Sequence, residues 1–167
     1  MLVRGFKDGD EPALQAVFHS AIHTTAAKDY TVEQLDAWAP HRPDWEAWTA
    51  RMQALRPFVA EADGRIVGYA DLQASGYIDH FFVSGKHARR GVGRLLMETL
   101  QARAAEIGLA RVFSDVSLTA EPFFERFGFS VVERGSVVIG QVSLPNARME
   151  KVAGIGALVG HRTTFTF

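Results

Sequence analysis

Residues 81–96, Phe-Phe-Val-Ser-Gly-Lys-His-Ala-Arg-Arg-Gly-Val-Gly-Arg-Leu-Leu, constrain the fold more than any other stretch of the chain. An apolar run enters a basic turn holding two glycines, and the turn opens directly into a helical pattern. A helix start has unpaired N–H groups and the positive end of the peptide dipoles, so it stabilises an anion. Gly91 and Gly93 let the backbone come close to a diphosphate with no Cβ in the way, and Arg89, Arg90 and Arg94 add charge. The run lacks the G-x-G-x-x-G of dinucleotide folds and the Gly-Lys-Ser/Thr of Walker loops. Taken alone it also describes a solvated basic helix start.

The remaining segments read as a mixed α/β (α+β) chain. Leu2 to Phe6 is a strand, and Asp10-Glu11-Pro12 starts a helix carrying Leu14, Val17, Phe18 and Ile22, with Asp10 expected to cap it. Thr31 and Gln34 form a capping box for Val32 to Trp38, and a third helix runs from Trp45 to Leu55. Phe58–Ala62 and Arg65–Ala70 flank Asp63-Gly64, a hairpin turn signal. Tyr77 to Val83 reads as one strand, buried on both faces in its second half. Val92, Leu95, Leu96, Leu100 and Ile107 mark a long amphipathic helix stopped by Gly108. Leu109–Val116 is a strand, Glu121–Phe127 a short helix, and Phe129–Val138 with Gln141–Val152 a closing hairpin. Residues 1–152 thus form one expected domain. The stretch 153–167, with Gly154, Gly156, Gly160 and a final Thr-Thr-Phe-Thr-Phe, is an extra strand or a tail with no assigned function.

Composition narrows the partners. Net charge is −1 and 22% of residues are charged, so nothing pulls the whole chain to nucleic acid or membrane. No cysteine is present, which excludes disulfides, thiolate catalysis and cysteine-held metals and agrees with a cytoplasmic location. No apolar stretch approaches the roughly 20 residues that span a bilayer, and residues 1–8 carry no signal-like apolar run.

Two segments in order carry a family resemblance. Arg89-Arg90-Gly91-Val92-Gly93-Arg94-Leu95-Leu96 after an apolar strand resembles the coenzyme A pyrophosphate loop of GNAT N-acetyltransferases, written Q/R-x-x-G-x-G/A. About 25 residues on, Ala120-Glu121-Pro122-Phe123-Phe124-Glu125-Arg126-Phe127-Gly128-Phe129 resembles that family's A-x-x-F-Y-x-x-x-G-F signature. Within the family, Asp29 to Pro40 looks like the YafP-type branch. The resemblance implies a mostly antiparallel central sheet of six to seven strands with about four helices, and transfer of an acetyl group from acetyl-CoA to an amine without a metal. It departs at two positions. Ala88 stands where the loop usually has Gln or Arg, and Phe124 stands where many relatives have a Tyr that protonates the leaving thiolate. These departures keep a second reading in view, a non-catalytic acyl-CoA-binding or sensing domain.

The resemblance further implies direct attack of a neutral amine on the thioester, helped by backbone N–H groups of Phe81, Phe82 and Val83, with Ser117 and Phe124 near the coenzyme. Candidate bases are Asp79 and His80, with water or another group as the alternative and Asp115 and Ser117 as outside candidates. Alternation puts Tyr77, Asp79 and Phe81 on one strand face and Ile78, His80 and Phe82 on the other, unless a bulge intervenes. His23, Tyr30, Trp38 and Tyr77 are the candidate wall for a small-molecule or peptide amine, with His19, Trp45 and Trp48 nearby, although aromatic residues at helical spacing are more often core. His19 and His23 have the i, i+4 spacing of metal ligands, but no third ligand is evident, so no metal is expected. A homodimer is common in the family.

Overall fold

The computed structural model describes residues 1–154. Strand β1, Leu2–Gly5, is followed by helices α1, Glu11–Ser20, α2, Val32–Trp38, and α3, Trp45–Leu55. Strands β2, Phe58–Ala62, β3, Arg65–Ala70, β4, Tyr77–Ile78, and β5, Phe81–Val83, precede α4, Val92–Glu106. Then come β6, Arg111–Ser117, α5, Glu121–Arg126, β7, Ser130–Ile139, and β8, Val142–Val152. The proposed strand in the terminal stretch lies outside the described residues. No helix among those described is long and apolar enough to cross a membrane.

Local chemistry explains the boundaries. Thr31 accepts from the Gln34 amide and Gln34 from the Thr31 amide, a complete capping box. Asp63 and Gly64 both have positive φ, 51° and 71°, as a primed hairpin turn requires. Asp10 does not cap α1. Its carboxylate is taken by the Arg4 guanidinium and the Lys7 amide, so the sequence expectation fails because stronger donors compete.

The single sheet expected from sequence is two four-stranded sheets, ordered β1-β2-β3-β5 and β4-β6-β8-β7. All pairings are antiparallel except β4 with β6. The division falls inside the run read as one strand, 77–83. There the buried Asp71, just past β3, accepts from the amides of Asp79 and His80 on a single oxygen, at 2.9 and 2.6 Å. A carboxylate replaces a neighbouring strand at that point. After Ile78 the chain leaves β6 and continues beside β3 only, so β5 and the far half of β6, Asp115–Ser117, border a gap. Two cores back this arrangement. One lies under α4 around Leu96, Met97, Leu100 and Met149, the other under α1 and α2 around Leu14, Ile22, Tyr69 and Met52.

The break also reverses alternation. Ile78 and Phe81 both pack on the α4 core, whereas Phe82 packs on the other, beside His80. Phe81–Val83 are half-buried rather than buried on both faces, because one edge of the strand borders the gap.

Candidate active site

The gap between the diverging strands is a cleft of about 360 Å³. Its lining includes Tyr30, Trp38, Tyr77, Asp79, His80, Phe81, Phe82, Ser117 and Phe124, nine of the residues singled out from sequence. Sheet β4-β6-β8-β7 supplies Tyr77, Ser117 and Asn146, strand β5 supplies Phe81 and Phe82, and α2 with the turn before it supplies Trp38 and Tyr30. A wider depression of about 600 Å³, beside Arg4, Glu61 and α1, holds none of the candidates.

His80 sits in an aromatic cage. Phe18, Trp48, Tyr69 and Phe82 have ring centroids 5.4–6.0 Å from its own. The Tyr69 hydroxyl lies 3.0 Å from Nδ1. Tyr69 is fully buried, its hydroxyl has no other partner among the described residues, and burial pushes its pKa well above the ordinary value. Its proton therefore points at Nδ1, which leaves His80 carrying hydrogen on Nε2, 3.8 Å from an Asp79 oxygen. Burial, and then the positive Arg51, push the His80 pKa down to about 3. His80 is neutral with its lone pair already used.

Asp79 faces the cleft from beside the break, with its carboxylate in an ion pair with Arg51 of α3. On the opposite wall, Tyr77 donates to Asp115 and Arg148 holds Asp115 through two bonds of 2.9 Å. The Arg148 bonds lower the Asp115 pKa, while burial raises that of Tyr77. Tyr30 donates to the Pro145 carbonyl at 2.6 Å and accepts from the Leu118 amide, tying α2 to the last strand at the cleft. Phe124 is 2% exposed, with ring contacts to Phe81, Phe123 and Phe129; it is a core ring whose edge reaches the cleft.

The basic loop abuts this cleft through one chain of contacts. A Cβ on Gly93 would lie 3.2 Å from the Phe123 ring, and Phe123 packs on Phe81. A side chain at Gly93 would therefore have to displace the Phe123 ring by a few tenths of an ångström. Gly91 is demanded by conformation, φ 84°, and a Cβ there would meet nothing within 4 Å. Arg89 also has positive φ, 62°, a strained state for a non-glycine residue that concentrates in ligand loops. Among the described residues, no hydrogen bond takes the amides of Val92, Gly93 or Arg94. Arg89 and Arg90 are exposed, and among the described residues Arg94 has only a loose contact of 4.0 Å with Glu98.

His23 is not part of the cleft lining, contrary to its assignment to the acceptor wall. Its Nε2 donates to the Ala39 carbonyl at 2.7 Å. Trp45 is half-exposed and outside the cleft, and Trp48 donates to the Glu11 carbonyl from the core. The absence of a third histidine also fails in three dimensions: His41, in the loop after α2, stacks against His23. Sequence reasoning missed Asp71, Arg51 and Tyr69. An isolated Asp after a strand gives no signal of its own. The helical pattern of α3 shows Arg51 only as a surface charge.

Comparison with known proteins accords with this geometry. Residues 26–150 match the family described as an acetyltransferase (GNAT) domain. The chain is 33% identical over 135 residues to the uncharacterized N-acetyltransferase YafP of Escherichia coli K12, covering 81% of this chain and 85% of that protein. A GCN5-related N-acetyltransferase from Rhodopseudomonas palustris superposes with a TM-score of 0.87 at 30% identity, over 91% of this chain and 95% of the other. The PaiA N-acetyltransferase of Thermoplasma acidophilum, solved in complex with coenzyme A, shares the fold at a TM-score of 0.70 and 18% identity, over 91% and 98% of the two chains. The chain belongs to the GNAT acetyltransferase family and is an acyltransferase.

Proposed function

We propose that this protein moves an acetyl group from acetyl-CoA to a primary amine by direct attack on the thioester. The observation that carries the reading is the cleft between β5 and the far half of β6, joined through Phe81, Phe123 and Gly93 to the start of α4 with its bare amides. A linear thioester with a diphosphate matches that shape. Val92, Gly93 and Arg94 amides, with Arg89 and Arg90, would hold the diphosphate. The unpaired edge of β5 at Phe81–Val83 offers backbone donors to the carbonyl oxygen, where charge develops as the amine attacks. Ser117 and Phe124 line the coenzyme side. Tyr30, Trp38 and Tyr77 line the amine side.

Proton removal is assigned to Asp79 acting through water. Asp79, paired with Arg51, faces the cleft from which an amine would approach, whereas His80 has no free lone pair and an unsuitably low pKa. His80 positions Tyr69 and the wall. With Phe124 unable to donate, the leaving thiolate takes its proton from solvent, which a thiol pKa near 8.5 permits.

Thiol release from acetyl-CoA, followed across a panel of small amines and peptides, tests the reading directly. Turnover with at least one amine is expected; coenzyme binding without turnover on any amine sinks the catalytic part. Gly91→Trp is expected to weaken coenzyme A binding by at least about tenfold, because an indole fills the approach to the helix start. Gly91→Ala, which meets only the cost of positive φ, is the control for strain, about 1 kcal/mol. Equal affinity in wild type and Gly91→Trp, measured by calorimetry, would remove the diphosphate from this loop.

A further inference from the structure

Outside the cleft, three imidazoles converge. His19 ends α1, His23 lies in the π-helical turn at Ala21–Thr25, and His41 comes from the loop between α2 and α3. Their ring centroids are 4.2, 4.7 and 4.9 Å apart, and one nitrogen from each lies within 4.8 Å of the others. His19 Nε2 and His41 Nδ1 approach to 3.0 Å.

The outer contacts favour the tautomer that a metal needs. His23 donates from Nε2 to the Ala39 carbonyl, and His41 Nε2 lies 3.3 Å from an Asp36 oxygen. Both contacts keep hydrogen on Nε2 and leave Nδ1 as a lone pair. A carbonyl or carboxylate behind an imidazole is the usual arrangement around metal-binding histidines. The π turn between His19 and His23 is a further sign, since such turns concentrate at functional sites.

We propose that His19, His23 and His41 bind one divalent transition metal of the zinc class. Imidazole nitrogens favour zinc, copper and nickel over magnesium or calcium. Metal–nitrogen distances near 2.0–2.1 Å put tetrahedral ligands about 3.3 Å apart, so side-chain rotation of roughly an ångström or two closes the set. His41 is 67% exposed, which gives the ion an entry path and leaves a fourth position to water. The ion is structural. Acetyl transfer does not use it, and the site ties the loop after α2 to the end of α1. Trp38 and Ala39 sit between Asp36 and His41, so an occupied site also steadies one wall of the amine cleft.

The test uses tag-free full-length protein, stripped with a chelator, and zinc titrated calorimetrically in a non-coordinating buffer. One ion per chain, a raised melting temperature and no comparable response to magnesium are expected. His41→Ala should weaken zinc binding more than tenfold, and Asp36→Asn by about tenfold, through the orientation of His41. Circular dichroism verifies folding, and coenzyme A binding should be retained in His41→Ala. No saturable zinc binding by the folded wild type, equal binding of magnesium, or unchanged zinc affinity in His41→Ala would each overturn the site. None of these outcomes bears on thiol release, so the two proposals fail separately.

Discussion

Asp71→Ala is expected to destabilise the protein by about 2–6 kcal/mol, because two amides lose one shared acceptor. Asp71 is fully buried and takes the N–H groups of Asp79 and His80 on one oxygen. A buried donor left unsatisfied costs about 1–3 kcal/mol, and here there are two. Asp71→Asn keeps a carbonyl oxygen at that place and should cost less than about 1 kcal/mol, since the net effect of burial already raises the carboxyl pKa and the charge itself adds little. Denaturant unfolding of both variants measures the contrast. Activity carries a second contrast. The break pinned by Asp71 is what opens the cleft, so any folded Asp71→Ala should lose coenzyme affinity while Asp71→Asn retains it. Equal midpoints for the alanine variant and wild type would show that the strands diverge for another reason.

Local patterns were legible where one segment decides its own shape. The capping box of Thr31 and Gln34, the Asp63-Gly64 turn and the helix stop at Gly108 each involve neighbours within a few residues, and each is present. Helices α2 and α3 begin and end where the pattern puts them. The family was legible for the same reason, since both signatures are continuous runs. What failed is non-local. Nothing in Tyr77–Val83 reveals that a carboxylate eight residues upstream will stand in for a paired strand, so one strand was read where two sheets part. Periodicity then gave the wrong partner faces across residues 79 and 80. His41 lies 18 positions beyond His23, and only the return of the chain through α2 brings the rings together. The acceptor wall failed at His23 because a helical ring has several faces to choose from, and its bond to the Ala39 carbonyl fixes one that sequence spacing does not specify.

Stability should fall steeply with acid because of His80. An unfolded histidine titrates near 6.5, whereas burial beside Arg51 holds the folded one at about 3. Between those values the unfolded chain binds a proton that the native chain refuses. Unfolding free energy therefore decreases as pH falls from about 6.5 towards 3, with a limiting slope of about 1.4 kcal/mol per pH unit. Above 6.5 the contribution is fully present. From pH 7 to pH 5 the loss from this one group is about 2 kcal/mol. Carboxylates with lowered pKa, Asp10, Glu11 and Asp115, add their own losses only at lower pH, below their unfolded values near 4. His19, which also has a lowered pKa, contributes in the same direction as His80. The difference between wild type and His80→Gln isolates the term, because glutamine accepts the Tyr69 hydrogen bond without titrating. The variant should be less stable at pH 8, where the aromatic cage loses its ring, yet distinctly flatter from pH 7 to 5. Parallel curves would mean that His80 titrates normally in the fold. It would then return as a candidate base, and Asp79 would lose the assignment made for it.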